Sequence, residues 1–209
     1  MQQDKEKKKL GIFVDDANMF YAQRKAGMRI DYTRLKNQLN QYFDVRFVNY
    51  HIVMPASWDK SYTASVSYKN TLPPFITVYE KLLKYIKVKN PDGTHSLQKK
   101  GDIDMELALD VLRNLDTLDA VLVLAGDSDY VALRNDVLHK GKKIAFASFD
   151  QTVSWEIKTG KYVSLSRFMS ETQTPDLSAG RLLQEIWYSN VAVMSSNAGD
   201  KAKPNKRTP

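Results

Sequence analysis

AVLVLAGDSDYVALRNDVLHKGKKIAFAS, residues 120–148, decides the fold. Ala120–Ala125 is a continuous apolar run, which reads as a strand covered on both faces rather than one with a wet side. Asp129–Lys140 reads as a helix closed by Gly141 at its left-handed end, and Lys143–Ser148 as a second strand. Strand, helix and strand in so short a span specify two parallel strands joined by a crossover helix.

The same alternation extends outward. Leu10–Val14 is a buried strand, followed by a helix over Asp16–Arg24 that Gly27 breaks. Asp31 is placed to cap a helix reaching Tyr42. "VRFVNYHIVM", within Val45–Met54, is strand-like. Ala56–Leu72 reads as a loop or ragged helix, and Pro73-Pro74 as the start of a helix to Lys84. Tyr85–Lys89, the turn NPDG and His95–Gln98 suggest a hairpin. Ile103–Leu115 reads as a helix apolar nearly all round, hence mostly buried. Ser154–Thr159 is a short helix and Tyr162–Leu165 a last short strand. Alternating strands and helices predict an α/β chain with a mainly parallel sheet between two helical layers. Beyond Ser170, Leu177–Met194 has an amphipathic helical period, and 195–209 is a basic, disordered-type tail by composition.

The 209 residues include no cysteine, so disulfides and thiolate zinc sites are excluded and a reducing cytoplasm is expected. No apolar stretch is long enough for a membrane span. The net charge of +7 is concentrated at the ends: residues 1–9 supply +2 and 198–209 supply +3. A polyanionic partner is permitted by this balance rather than demanded.

The acids are the informative feature. In doubly wound sheets, ligands bind beyond the carboxyl ends of the strands. Asp15 and Asp16 follow the first strand, Asp127, Ser128 and Asp129 follow Ala120–Ala125, and Asp102 and Asp104 open the apolar helix. Each could simply cap a turn or helix; Asp127 in particular could cap the helix that begins at Asp129. Together they would crowd negative charge into one crevice, which a hard cation such as Mg2+ or Mn2+ compensates. Asp110 lies about 9 Å further along its helix and roughly 120° round from Asp104. It is therefore expected to support the site from behind. Asn18 is placed to hold a phosphate or water. Lys99, Lys100 and Lys142 are candidate guides for a phosphate backbone.

Three of these blocks, "GIFVDDANMF", "KKGDIDMELALDVL" and "VLVLAGDSDYVALRNDVLHKGKKIAFAS", resemble the NYN domain family, the LabA-like branch of the PIN-like nucleases. The resemblance spans residues 10–169, ending in "SWEI" and "YVSLS". It implies a three-layer α/β/α sandwich of PIN-like, Rossmann-like type, and an acidic cluster that binds Mg2+ or Mn2+ for phosphodiester cleavage, usually of RNA. By motif it assigns Asp15, Asp104, Asp127 and Asp129 as metal-binding and catalytic, and Asn18, with Lys100 nearby, as substrate-binding. Asp16, Asp102, Asp110 and Ser128 become supporting positions. Asp16 and Asp102 are acids additional to the family pattern, and Gly160 replaces an aspartate frequent there.

Other acid-bearing folds fit less well. A receiver domain needs an aspartate after its third strand, a haloacid-dehalogenase phosphatase needs one where Ala17 stands, and a Toprim domain needs a glutamate near Val14. No nucleophile elbow or phosphate loop is present, and His51, His95 and His139 lack ligand spacing. The expectation is a metal-dependent ribonuclease over 10–169, with a helical extension over 170–194 able to pair two copies. The alternative is a nucleic-acid-binding or regulatory adaptor that keeps the fold, with Trp58, Tyr62 and Tyr68 as stacking platforms.

Overall fold

A computed structural model describes residues 6–169. The expected extension over 170–194, its pairing of two copies and the tail over 195–209 lie outside them. Six parallel strands form the sheet: β1 (Lys8–Asp15), β2 (Phe43–Met54), β3 (Ile76–Leu82), β6 (Ala120–Leu124), β7 (Lys143–Ser148) and β8 (Tyr162–Ser164), in the order β3-β2-β1-β6-β7-β8. The hairpin of β4 (Lys84–Lys89) and β5 (His95–Lys100) stands apart as a second, antiparallel sheet.

Both faces of the central strands are buried, which explains their unbroken apolar runs. Ile12, Val14, Leu122, Leu124, Ala145 and Ala147 face one core. That core is covered by α1 (Asp16–Ala26), α2 (Tyr32–Leu39) and α7 (Ser166–Met169). Phe13, Val121, Val123, Ile144 and Phe146 face the other. Covering it are α4 (Asp104–Asn114), α5 (Val131–His139) and α6 (Trp155–Lys158). This is the α/β/α sandwich expected from the sequence.

Two local expectations need correction, and a third, open between loop and ragged helix over 56–72, is decided. The segment after Pro73-Pro74 is strand β3, not a helix, and pairs with β2 from Val48↔Ile76 to Met54↔Leu82. Ile76, Thr77 and Val78 are β-branched and lose side-chain freedom in a helix. As a strand they satisfy the open edge of the long β2 and send Ile76 and Val78 into the first core. Tyr62–Asn70 is a helix, α3, with no fully buried residue. Finally, α4 is amphipathic: Leu107 and Val111 are buried, whereas Met105 and Leu109 are 67% and 40% exposed. Apolar residues on its outer face mimic a fully buried helix when only composition is read. Among the described residues, no helix is long and apolar enough to cross a membrane.

Candidate active site

The sheet order reverses direction between β1 and β6, which pair from Leu10↔Ala120 to Val14↔Leu124. Their carboxyl ends therefore lie side by side at the switch point. Asp15 ends β1, and Gly126 and Asp127 follow β6. Asn18 ties the two ends together. Its backbone N–H donates to Asp15 Oδ1 at 3.0 Å and its side-chain amide to Oδ2 at 3.3 Å. Its own Oδ1 accepts from the Gly126 N–H at 3.0 Å. Gly126 has no room for a side chain there: an added Cβ would lie 2.8 Å from the Thr152 carbonyl oxygen and 2.9 Å from Val153 Cα.

Asp15 is 2% exposed. Burial raises its carboxyl pKa; hydrogen bonds from Asn18 and Tyr130 pull it back, and the Asp127 charge raises it further. The Tyr130 hydroxyl donates to Asp15 Oδ2 at 2.9 Å. The same phenol also acts on Asp104, the first residue of α4, whose ionised carboxyl it favours. Asp104 is pushed up to about 6, first by burial and then by the charges of Asp15 and Asp102. Burial and both aspartates hold the Tyr130 phenol well above its ordinary value, so it remains a donor. Tyr130 is the member that sequence reasoning missed, although an aromatic residue directly after GDSD was the available signal.

Asp127 caps a 3-10 turn over Ser128–Tyr130, its carboxylate accepting from the Asp129 N–H at 3.1 Å. The capping interaction thus exists, on this short turn rather than on α5, and the Asp127 charge is still felt by Asp15. Asp129 is exposed and Ser128 half-buried. Asp102 is exposed at the head of α4, accepting from the Asp104 N–H at 3.2 Å. The Lys100 charge, at the end of β5, acts on Asp102. Lys99 is engaged elsewhere, in a 2.6 Å ion pair with Asp59. Lys142 sits at the opposite edge of the sheet, donating to the Leu118 carbonyl at 2.6 Å, and so is not near the acids.

Asp16 and Asp110 are turned toward other partners. Asp16 lies on the first core's side, where it accepts a 2.6 Å hydrogen bond from Tyr50, whose hydroxyl is in turn 2.8 Å from that of Tyr68. Burial pushes the Asp16 carboxyl up to about 6 against that hydrogen bond. Asp110 accepts from Asn49 at 2.8 Å and pairs with His51 Nε2 at 3.0 Å. His51 in turn stacks on Tyr79 with ring centroids 5.0 Å apart. No spacing in the sequence links residues about 60 positions apart, so this trio of buried Asn49 and His51 with half-buried Asp110 was not legible there.

Asp16 and Asp104 both hold their protons more tightly folded than unfolded. The stability they contribute is full below about pH 4 and is lost as pH rises through about 6. Asp16→Asn should therefore gain on wild type as pH rises across this window, with the Tyr50 hydrogen bond retained. Urea midpoints of both proteins at pH 4 and pH 7 check this; a constant difference would refute it.

Among the described residues, no group of three or more His, Asp or Glu side chains is placed to hold a metal ion as it stands. Asp15 feels the charge of Asp127, and Asp104 that of Asp15, with the Tyr130 hydroxyl bound to Asp15 between them in this chain of influence.

Comparison with known proteins gives this arrangement its context. Residues 9–165 match the model of the NYN domain. The chain is 26% identical over 177 residues to the "Low amplitude and bright protein LabA" of Synechococcus elongatus, covering 80% of this chain and 91% of that protein. A crystal structure of a protein of unknown function from Vibrio parahaemolyticus superposes with a TM-score of 0.61 at 22% identity, covering 81% of this chain and 99% of the other. With its matched region running from β1 through β8, the chain belongs to the NYN domain family.

Proposed function

We propose that the protein is a metal-dependent nuclease that hydrolyses phosphodiester bonds in RNA. The observation that carries this reading is the buried Asp15 carboxyl at the switch point, held by Asn18 and the Tyr130 hydroxyl, with Asp127 and Asp104 close enough for their charges and its own to act on one another. Repelling carboxylates at a sheet's switch point fit a hard divalent cation, Mg2+ or Mn2+, because all the donors are oxygens. Asp15, Asp104, Asp127 and Asp129 would hold it, directly or through water, since Mg2+ commonly keeps several waters. When bound, such an ion supplies water activation and charge neutralisation at the phosphate.

The chain's own residues do the rest. Tyr130, whose phenol keeps its proton, orients the Asp15 carboxylate. Asn18 locks Asp15 to the β6 end and sets the floor on which a phosphate rests. Lys100, at the lip beside Asp102, attracts the incoming backbone. The second reading, a binding module without cleavage, draws on the lack of three ready-made ligands among the described residues.

Differential stability and cleavage separate the two. Tenfold Mn2+ over its Kd should add about 1.4 kcal/mol, a Tm rise of roughly 3–6 °C. Labelled single-stranded RNA should be cut only with the ion present. A melting curve unmoved by millimolar Mn2+, together with intact RNA, would leave the binding module.

A further inference from the structure

The hairpin β4–β5 projects from the carboxyl edge of the sheet, outside both cores. From Ile86 to Lys89 and from His95 to Lys100 every residue is exposed, including Ile86, Val88 and Leu97 at 43%, 37% and 57%. A lone two-stranded ribbon is marginal in water, and this one is fixed only at its root. There the Tyr85 hydroxyl donates to Asp59 at 2.7 Å, Lys99 pairs with Asp59 at 2.6 Å, and Trp58 lies against Tyr85 with ring centroids 4.3 Å apart. Trp58 itself remains 66% exposed.

The arm is also strongly basic. Residues 84–100 hold five lysines against the single acid Asp92, a larger net charge than the whole of residues 10–197 carries. The rest of that span is therefore net acidic as a whole, although residues 24–36 also carry +4. Cross-strand pairing puts Tyr85 with Lys99, Lys87 with Leu97 and Lys89 with His95 on one face. Among the described residues, Lys87 and Lys89 form no ion pair. That face runs from the tip to Trp58 at the root, over roughly 14 Å of strand between Tyr85 and Lys89. Past the root, β5 leads through Gly101 directly to Asp102 and Asp104.

We propose that this hairpin face is a binding arm for single-stranded nucleic acid: Lys87 and Lys89 take successive phosphates, and Trp58 stacks one base at the root. Unpaired lysines supply the sequence-independent attraction. The exposed indole supplies stacking that a duplex, with its bases already stacked, cannot use. Because β5 runs on to Asp102 and Asp104, a strand held along the arm is led toward the end of β5. Only this last direction rests on the nuclease reading.

Binding is measured in EDTA, by anisotropy of a labelled 12-nucleotide oligouridine, so cleavage does not enter. The Lys87→Ala/Lys89→Ala double variant should weaken binding and lower the slope of log K against log salt by about 1.4. Trp58→Ala should weaken it roughly 5- to 100-fold, and Trp58→Phe should recover most of that loss. The matched double variant Lys140→Ala/Lys143→Ala, on the opposite sheet edge, should bind as wild type does. Unchanged affinity and slope in the hairpin variant would overturn the proposal, as would an equal loss in the opposite-edge variant. Equal affinity for a 12-base-pair duplex would overturn the single-strand assignment. Failure of RNA cleavage with binding intact would fall on the nuclease reading alone.

Discussion

Asp15→Asn should abolish metal-dependent cleavage while leaving the metal-free fold as stable as wild type, or more so. Asp15 is the most buried of the site's carboxylates, at 2% exposure, and its ionised form is opposed by burial and by Asp127. The asparagine keeps the shape and an oxygen to accept from the Asn18 N–H, and the Tyr130 hydroxyl can rotate to accept from the new amide. What disappears is the charge. Cleavage should fall by two to three orders of magnitude, as when a central electrostatic group is removed. The Tm rise produced by Mn2+ should vanish with it, and the metal-free Tm should be unchanged or higher. A variant that still cuts RNA at more than a tenth of the wild-type rate would remove Asp15 from the site.

Gly126→Ala should give the largest loss of stability among conservative changes near the site. The added methyl meets main chain, the Thr152 carbonyl oxygen at 2.8 Å and Val153 Cα at 2.9 Å, rather than a side-chain tip that can swing aside. The same residue is held on both sides, donating to Asn18 Oδ1 and accepting from the Ser154 N–H at 2.8 Å. Overpacking of this kind costs about 2–3 kcal/mol, a fall in Tm of roughly 4–12 °C. Activity at a temperature where the variant is still folded should drop as well, because the methyl pushes the β6 end away from Asn18. A Tm within 1 °C of wild type would show that the segment over Thr152–Val153 yields without cost.

The frame of the site was legible because it rests on strong, local signals. Unbroken apolar runs marked β1, β6 and β7, and the acids after them fell at one sheet edge. The strand orders common in doubly wound sheets make β1 and β6 neighbours there. Residues whose role depends on long-range packing were not legible. Tyr130 reads as one more core aromatic until α4 is laid against the end of β1. Asp16 and Asp110 look like additional members of the cluster, yet Tyr50 and Tyr68 draw one away, and Asn49 and His51 the other. Strand β3 was missed for a related reason: Tyr79–Leu83 carries helix-forming residues, and only the exposed edge of β2 makes the extended form the better choice.

The pairing of β1 with β6 also sets when the site can come into being during synthesis and folding. Leu10 and Ala120 are neighbours across a chain separation of 110 residues, and the segment between them contains β2, β3 and the hairpin. Closing so long a loop is entropically costly, and folds built on distant contacts form slowly. β1, β2 and β3 all leave the ribosome before β6 does. At that stage Asp15 has neither Tyr130 nor Gly126 beside it. A growing chain therefore carries no complete acid site until the segment through Tyr130 has emerged and docked.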